Sequence, residues 1–156
     1  MRRTRNALTR VALVATLLTA FTALAPSPAH AVTTTPRARM YQATNNSRLN
    51  NGVRRVDLHY TISRLARKHS IAMANRGSIF HTSKSRIIGT YLDGVRWSTW
   101  GENVGVTGGT ISGLQKAFMN SPGHRSNILN RAFHRVGVGT YRDANGLLWV
   151  TVFFYG

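Results

Sequence analysis

The chain contains no cysteine. That excludes disulfides, thiolate metal sites and catalysis by a cysteine nucleophile, and it leaves a core and hydrogen bonds to hold the fold. Carboxylates are almost as scarce. Asp57, Asp93, Glu102 and Asp143 are the only four, against 21 Lys and Arg. A pair of carboxylates for sugar hydrolysis is hard to assemble from so few. There is no GxSxG elbow, no P-loop and no HExxH helix. The glycines of "GGTISG" lack a lysine in the right place. Beyond residue 31 no run is long and apolar enough to span a membrane.

What is present starts with an export signal. "MRRTRNALTR" supplies four arginines and no acid, "VALVATLLTAFTALA" is apolar throughout, and Pro26, Pro28 and "AHA" follow. This is a basic n-region, an h-region and a small-residue cleavage site, with cutting expected after Ala31. Three segments are expected: a signal peptide over 1–31, a short polar leader over 32–38 and one domain over 39–156. Cleavage leaves 17 basic and 4 acidic side chains, a net charge of +13. A secreted monomer this cationic is drawn to anionic polymers, whether cell-wall phosphates, acidic lipid headgroups or nucleic acid. Its basic residues are spread along the chain and not gathered in a stripe interleaved with aromatics, so no dedicated nucleic-acid site is expected.

The periodicity predicts helices first and a hairpin last. Met40, Ala43 and Leu49 mark a first helix from about Arg39, closed by "NNG" at 50–52. Ile62, Leu65, Ala66, His69, Ala72 and Met73 mark a second, stopped by Gly77. Residues 78–100 read as loop, and "ENVGV" as a short strand. Thr110 caps a third helix with Ile111, Leu114 and Phe118 on one face. Ser121 caps a fourth, with Pro122 at its first position. Val136, Val138 and Thr140 alternate in a strand, Asn145-Gly146 turns, and "LLWVTVFFY" returns. The order implies a mixed α+β layer fold.

Three side chains draw attention as chemistry. His124 falls in the first turn of the fourth helix, where the positive end of the dipole favours neutral imidazole. A local hydrogen bond at the cap is the plainer alternative. His81, in "FHTSKS", lies in a polar loop after the second helix. Glu102, the only glutamate, stands beside a tryptophan and between glycines. Together the three could fix tautomers or share a cation, with a fourth position open. Their separations match no short ligand motif. His59, His69 and His134 are expected in structural or surface roles.

"FHTS", "WGENVGV" and "NSPGHRSNIL", in this order, resemble bacterial members of the CAP superfamily, which groups cysteine-rich secretory, antigen 5 and pathogenesis-related 1 proteins around an SCP domain. The resemblance runs from about Arg39 to Gly156. It implies a three-layer α-β-α sandwich with a small, mainly antiparallel sheet. It also implies a shallow cavity lined by two histidines and two acids, which in several members takes zinc or another divalent cation. His81, Glu102 and His124 match three of those four positions, and the second acid falls at Ser121. Phe118 stands where many relatives have tryptophan. The leading expectation is a secreted binding module presenting this cavity and a cationic surface to a lipid, cell-envelope or extracellular ligand. The alternative is a divalent-metal-assisted, peptidase-like hydrolase. There His81, His124 and Glu102 would hold the ion and Ser121 would orient substrate, but no residue is left over as general base.

Overall fold

A computed structural model describes residues 34–156. The expected signal peptide, and the leader's first two residues, lie outside the described residues. Helix α1 (Pro36–Asn50) begins three residues before the expected Arg39. Thr35 accepts the Ala38 N–H through its hydroxyl and Pro36 opens the first turn, where a missing N–H costs nothing. After the two-residue strand β1 (Asp57–Leu58), α2 (Tyr60–Arg76) runs to Gly77, which takes φ 69° to close it. The stretch expected as loop holds a single helical turn, α3 (Lys84–Arg86), that passes into a π-helical turn over Ile87–Tyr91. Both ends of that π-turn, Ile87 and Tyr91, are buried.

Strand β2 (Trp100–Thr107) is longer than "ENVGV". Helices α4 (Ile111–Asn120) and α5 (Pro122–Leu129) follow where the periodicity puts them, and Thr110 caps α4 through the Gly113 N–H. The chain ends in the hairpin β3 (Arg135–Arg142) and β4 (Leu148–Tyr155). Asp143 pins its turn. One carboxylate oxygen accepts the N–H of Asn145 and of Leu147, and the other accepts the Trp149 indole.

The sheet order is β1-β3-β4-β2, antiparallel except for the short β1–β3 pair. Every residue of β4 is buried, so both of its faces need cover. Leu148, Val150, Val152 and Phe154 face Met40 of α1, Leu114 and Phe118 of α4 and Ile128 of α5. Phe153 and Tyr155 face Ile62 of α2 with Ile87, Tyr91 and Leu92, and Trp149 meets Met73 on the same side. The result is the expected three-layer α-β-α sandwich. Helix α2 lies so close to β3 that a Cβ on Gly139 would overlap the backbone of Ala66 and Arg67. Among the described residues no helix is long and apolar enough to cross a membrane.

The layer containing α1 and α5 has a polar centre. Arg48, 1% exposed, donates Nε to the Arg54 carbonyl at 2.7 Å and Nη1 to those of Ile128 and Asn130 at 2.7 and 2.9 Å. Its Nη2 donates to the Phe133 carbonyl at 3.1 Å. None of the four acids pairs with it. Burial lowers the guanidinium pKa from its usual value, though Arg stays charged under any ordinary condition. Replacing it removes the donor from four carbonyls, and those of Ile128 and Phe133 lose it at buried bonds. Each buried acceptor left unpaired costs roughly 1–3 kcal/mol. Urea unfolding of Arg48→Met is expected to show a loss above about 3 kcal/mol at unchanged m-value. Arg48→Lys recovers only part, because an ammonium cannot reproduce the planar fork.

Candidate functional site

Glu102 sits on β2 directly opposite Phe153, so its side chain points to the α2 face of the sheet. There it meets the loop leaving α2. Oε2 accepts the Thr82 N–H at 2.9 Å and lies 2.9 Å from His81 Nδ1, and Oε1 accepts the Thr82 hydroxyl at 2.7 Å. The Glu102 side chain is 2% exposed and that of His81 63%. A buried carboxylate is tolerable only when its lone pairs are answered, and here three donors answer them. The carboxylate also selects the His81 tautomer. Nδ1 carries the proton toward Glu102, which leaves Nε2 free to accept or ligate. Tyr91, behind Thr82, has its phenol pushed up to about 12, chiefly by burial, with the Glu102 charge adding to the shift and Thr82 and Arg86 opposing it.

His124 comes from the other side of the same strand. Asn103, next after Glu102, points to the opposite face and donates Nδ2 to the His124 carbonyl at 3.0 Å. Asn127 donates to Asn103 Oδ1 at 2.9 Å and to the Glu102 carbonyl at 3.2 Å. Strand β2 is an edge of the sheet, so α5 folds over that edge and brings His124 toward His81. The His124 ring tilts against Phe118, 4.7 Å between centroids. Its pKa is lowered by burial first and by the charge of His81 second. Neutral imidazole was expected from the helix dipole. The neutral form is favoured, but through desolvation and a facing histidine.

Ser121 joins α4 to α5 and starts α5 as foreseen, yet its hydroxyl makes no cap bond and none of the bonds of this cluster. The other histidines are placed elsewhere. His69 bonds the Phe80 carbonyl through Nε2 at 2.8 Å, His59 Nδ1 lies 2.9 Å from the Tyr155 hydroxyl, and His134 is exposed. Five surface clefts of about 170–460 Å³ are lined by residues other than His81, Glu102 and His124.

The donor set bears on a divalent ion. Such an ion needs about three protein donors and an open position. Both Glu102 oxygens are already committed to Thr82 and His81, so the carboxylate stands behind His81 and not beside it as a ligand. Among the described residues no three of His, Cys, Asp or Glu form a group that could hold a metal ion. As arranged, the residues do not fit a three-ligand ion.

Thr82, Asn103 and Asn127 went unnoticed in the sequence. Thr82 is within the "FHTS" stretch but gives no signal of its own. Asn103 does: an asparagine inside an apolar strand is disfavoured and calls for a partner.

The family model of the cysteine-rich secretory proteins matches residues 41–154. An uncharacterized protein, YkwD, of Bacillus subtilis (strain 168) is 32% identical over 120 residues, which is 74% of this chain and 45% of that protein. The chain thus spans less than half the length of this curated relative. Among solved structures, an extracellular protein containing an SCP domain from Bacillus anthracis str. Ames superposes with TM-score 0.64 at 24% identity, over 77% of this chain and 40% of that one. An outer surface protein from Borrelia burgdorferi gives TM-score 0.65 at 18% identity, over 74% and 88%. At these identities the structures show the shared fold and nothing finer.

The His124 environment can be read by titration. In an NMR series its ring is expected to titrate below the ordinary 6.5. His81→Gln should raise the midpoint without restoring it fully, since burial is the larger cause. The sign for stability follows. A histidine kept neutral by folding adds stability above 6.5, and that contribution is lost as pH falls from there toward the depressed folded value. Thr82→Val removes one of three donors to a buried carboxylate and should cost about 1–3 kcal/mol in urea unfolding.

Proposed function

The chain belongs to the cysteine-rich secretory protein family, and from that premise we propose that it is a binding module working outside the cell. It presents the His81–Glu102–His124 cluster and a cationic surface to a lipid or an anionic cell-envelope polymer. The carrying observation is the arrangement of the two imidazoles. A buried, fully bonded carboxylate orients one, burial keeps the other neutral, and both reach solvent at the edge of the sheet. Such a pair can donate to and accept from a ligand. It lacks what a hydrolase of this architecture needs, a free carboxylate as base or third ligand.

The extracellular setting draws further support from the basic, apolar and small-residue pattern of residues 1–31. It also agrees with the descriptions of the B. anthracis and B. burgdorferi proteins as extracellular and outer-surface. The charge supports an envelope ligand: with 17 basic and 4 acidic side chains after Ala31, attraction to anionic polymers is strong at low salt.

Two measurements test this. Protein recovered from the culture medium should begin at Val32; recovery only inside the cell rejects the setting. Purified protein should be retained on isolated envelope at low salt and released as salt rises. The double substitution His81→Ala with His124→Ala should weaken retention about tenfold or more, the scale of one to two lost polar contacts. Unchanged retention of that variant would show that the histidine cluster is not the recognition site.

A further inference from the structure

We propose that the exposed face of α2 is a binding track for a linear, base-free polyphosphodiester. Three clefts adjoin along this helix and share their walls. The first, about 280 Å³, has Arg37, Arg64 and Arg67 in its lining. The second, about 170 Å³, takes Arg64 again and adds Lys68. The third, about 230 Å³, takes Lys68 again and adds Arg86. Arg64 stands between the first and second clefts and Lys68 between the second and third, so the three make one string of neighbouring hollows, here called the furrow. Five cations line it and no acid does. None of the five enters an ion pair among the described residues. The α2 residues that line it run from Thr61 to Ala72, an axial span of roughly 16 Å at ~1.5 Å per residue. That is longer than a single phosphate needs and suits a repeating anion.

The helix itself argues for an absent counterion. Arg64 and Lys68 are four residues apart, and Arg64 and Arg67 three, so like charges face one another with no acid in between. This repulsion stands unrelieved in the free protein. A solvated helix face ordinarily mixes signs.

The rings around the furrow say what the polymer lacks. Phe80 and Tyr91 are the phenyl and phenol rings in its lining: Arg76 covers Phe80 at 5.0 Å and Tyr91 is buried, 3% exposed. Single-stranded nucleic acid is held by stacking bases on open aromatic faces, and of these two rings one carries a guanidinium and the other is buried. What remains is a charge track without stacking platforms. Its far end, at Phe80, Arg86 and Tyr91, reaches the loop where Thr82 holds Glu102. The inference rests on reading the cationic surface as ligand-facing, and is independent of whether the histidine cluster binds anything.

The test uses fluorescently labelled poly(glycerol phosphate) and the purified protein, with affinity measured across a salt series. Contact with five phosphates predicts a slope of log K against log salt near −3.5, from about −0.7 per contact. The triple substitution Arg64→Ser, Arg67→Ser, Lys68→Ser should flatten the slope by about 2 and weaken binding at low salt at least ~tenfold. A control triple with the same charge loss elsewhere, Arg54→Ser, Arg55→Ser, Arg131→Ser, should stay within about threefold of the parent by the same charge argument. The polymer should also raise the melting temperature of the parent and not of the track triple. Should the track triple melt early, the pair Arg64→Gln and Lys68→Gln carries the same comparison.

Equal losses in the two triples would mean diffuse charge and overturn the track. No binding by the parent at low salt does the same. Glycerol 1-phosphate competing equally at matched phosphate concentration would reduce the furrow to a single site. An oligothymidylate of equal charge binding as tightly would overturn the base-free assignment. If the His81→Ala, His124→Ala variant loses the polymer while the track triple keeps it, the furrow is rejected and the histidine cluster retained.

Discussion

The arrangement of this molecule depends on one buried guanidinium. Helix α5 is short, and Ile128 is its only buried side chain. Apolar burial therefore cannot fix where it lies. Arg48 does so from α1, holding the carbonyls of Ile128 and Asn130 at the C-terminal end of α5 and that of Phe133 on the way to β3. The end of a helix carries partial negative charge and orphan carbonyls, and the guanidinium answers both. With α5 held at one end by Arg48 and at its middle by Asn127 and Asn103, His124 at its start has little freedom left. The site is preorganised by a residue that is no part of it.

A chain with four acids has had to spend them with care, and the structure shows what each does. Asp143 closes a hairpin, with three donors and a carboxyl held below the usual range, first by the Trp149 indole. Glu102 is buried with three donors of its own. Asp57 stands 4.0 Å from Arg135 with both side chains more than half exposed, a pairing of small consequence in water. Asp93 lies exposed in a turn. The two acids with built surroundings serve backbone geometry and the histidine cluster. Neither neutralises the surface. The buried cation Arg48 meanwhile is matched by carbonyls in place of a carboxylate. The cationic exterior is thus left without internal counterions, and that makes it available to external ones.

How legible this was in the sequence follows from the kind of interaction. Elements that declare themselves through periodicity were readable: α2 with its Gly77 stop, α4 behind Thr110, the Ser121–Pro122 start of α5, and the Asn145-Gly146 hairpin. Each rests on contacts within a few residues. The start of α1 was misjudged because a threonine and a proline read as a leader until the helix they cap is seen. The 78–100 stretch reads as loop because a π-turn has no repeating apolar period, though Ile87 and Tyr91 are buried in it and Trp100 opens β2. Of the candidate site, the three charged or titratable residues stood out by rarity and by resemblance. Their supports did not. Thr82 and Arg48 act across 20 to 85 positions of sequence, and no local pattern encodes such a bond. Asn103 was findable, since a polar amide inside a strand of valines and glycines needs a reason.

The same edge strand explains why the two histidines are not equivalent. Successive residues of a strand point to opposite faces, so Glu102 and Asn103 send their side chains apart, one toward the α2 layer and one toward α5. Each then recruits a histidine by a different means. Glu102 bonds the ring of His81, while Asn103 bonds only the backbone of His124. His81 is therefore tied to an anion and left exposed, whereas His124 is free in its ring and partly buried against Phe118. Burial disfavours charge on His124, while the carboxylate at His81 fixes which ring nitrogen faces outward. A ligand would meet the Nε2 of an oriented ring on one side of the edge and a neutral, unbonded ring on the other. This asymmetry is what β2, with nothing beyond it in the sheet, makes available at the surface.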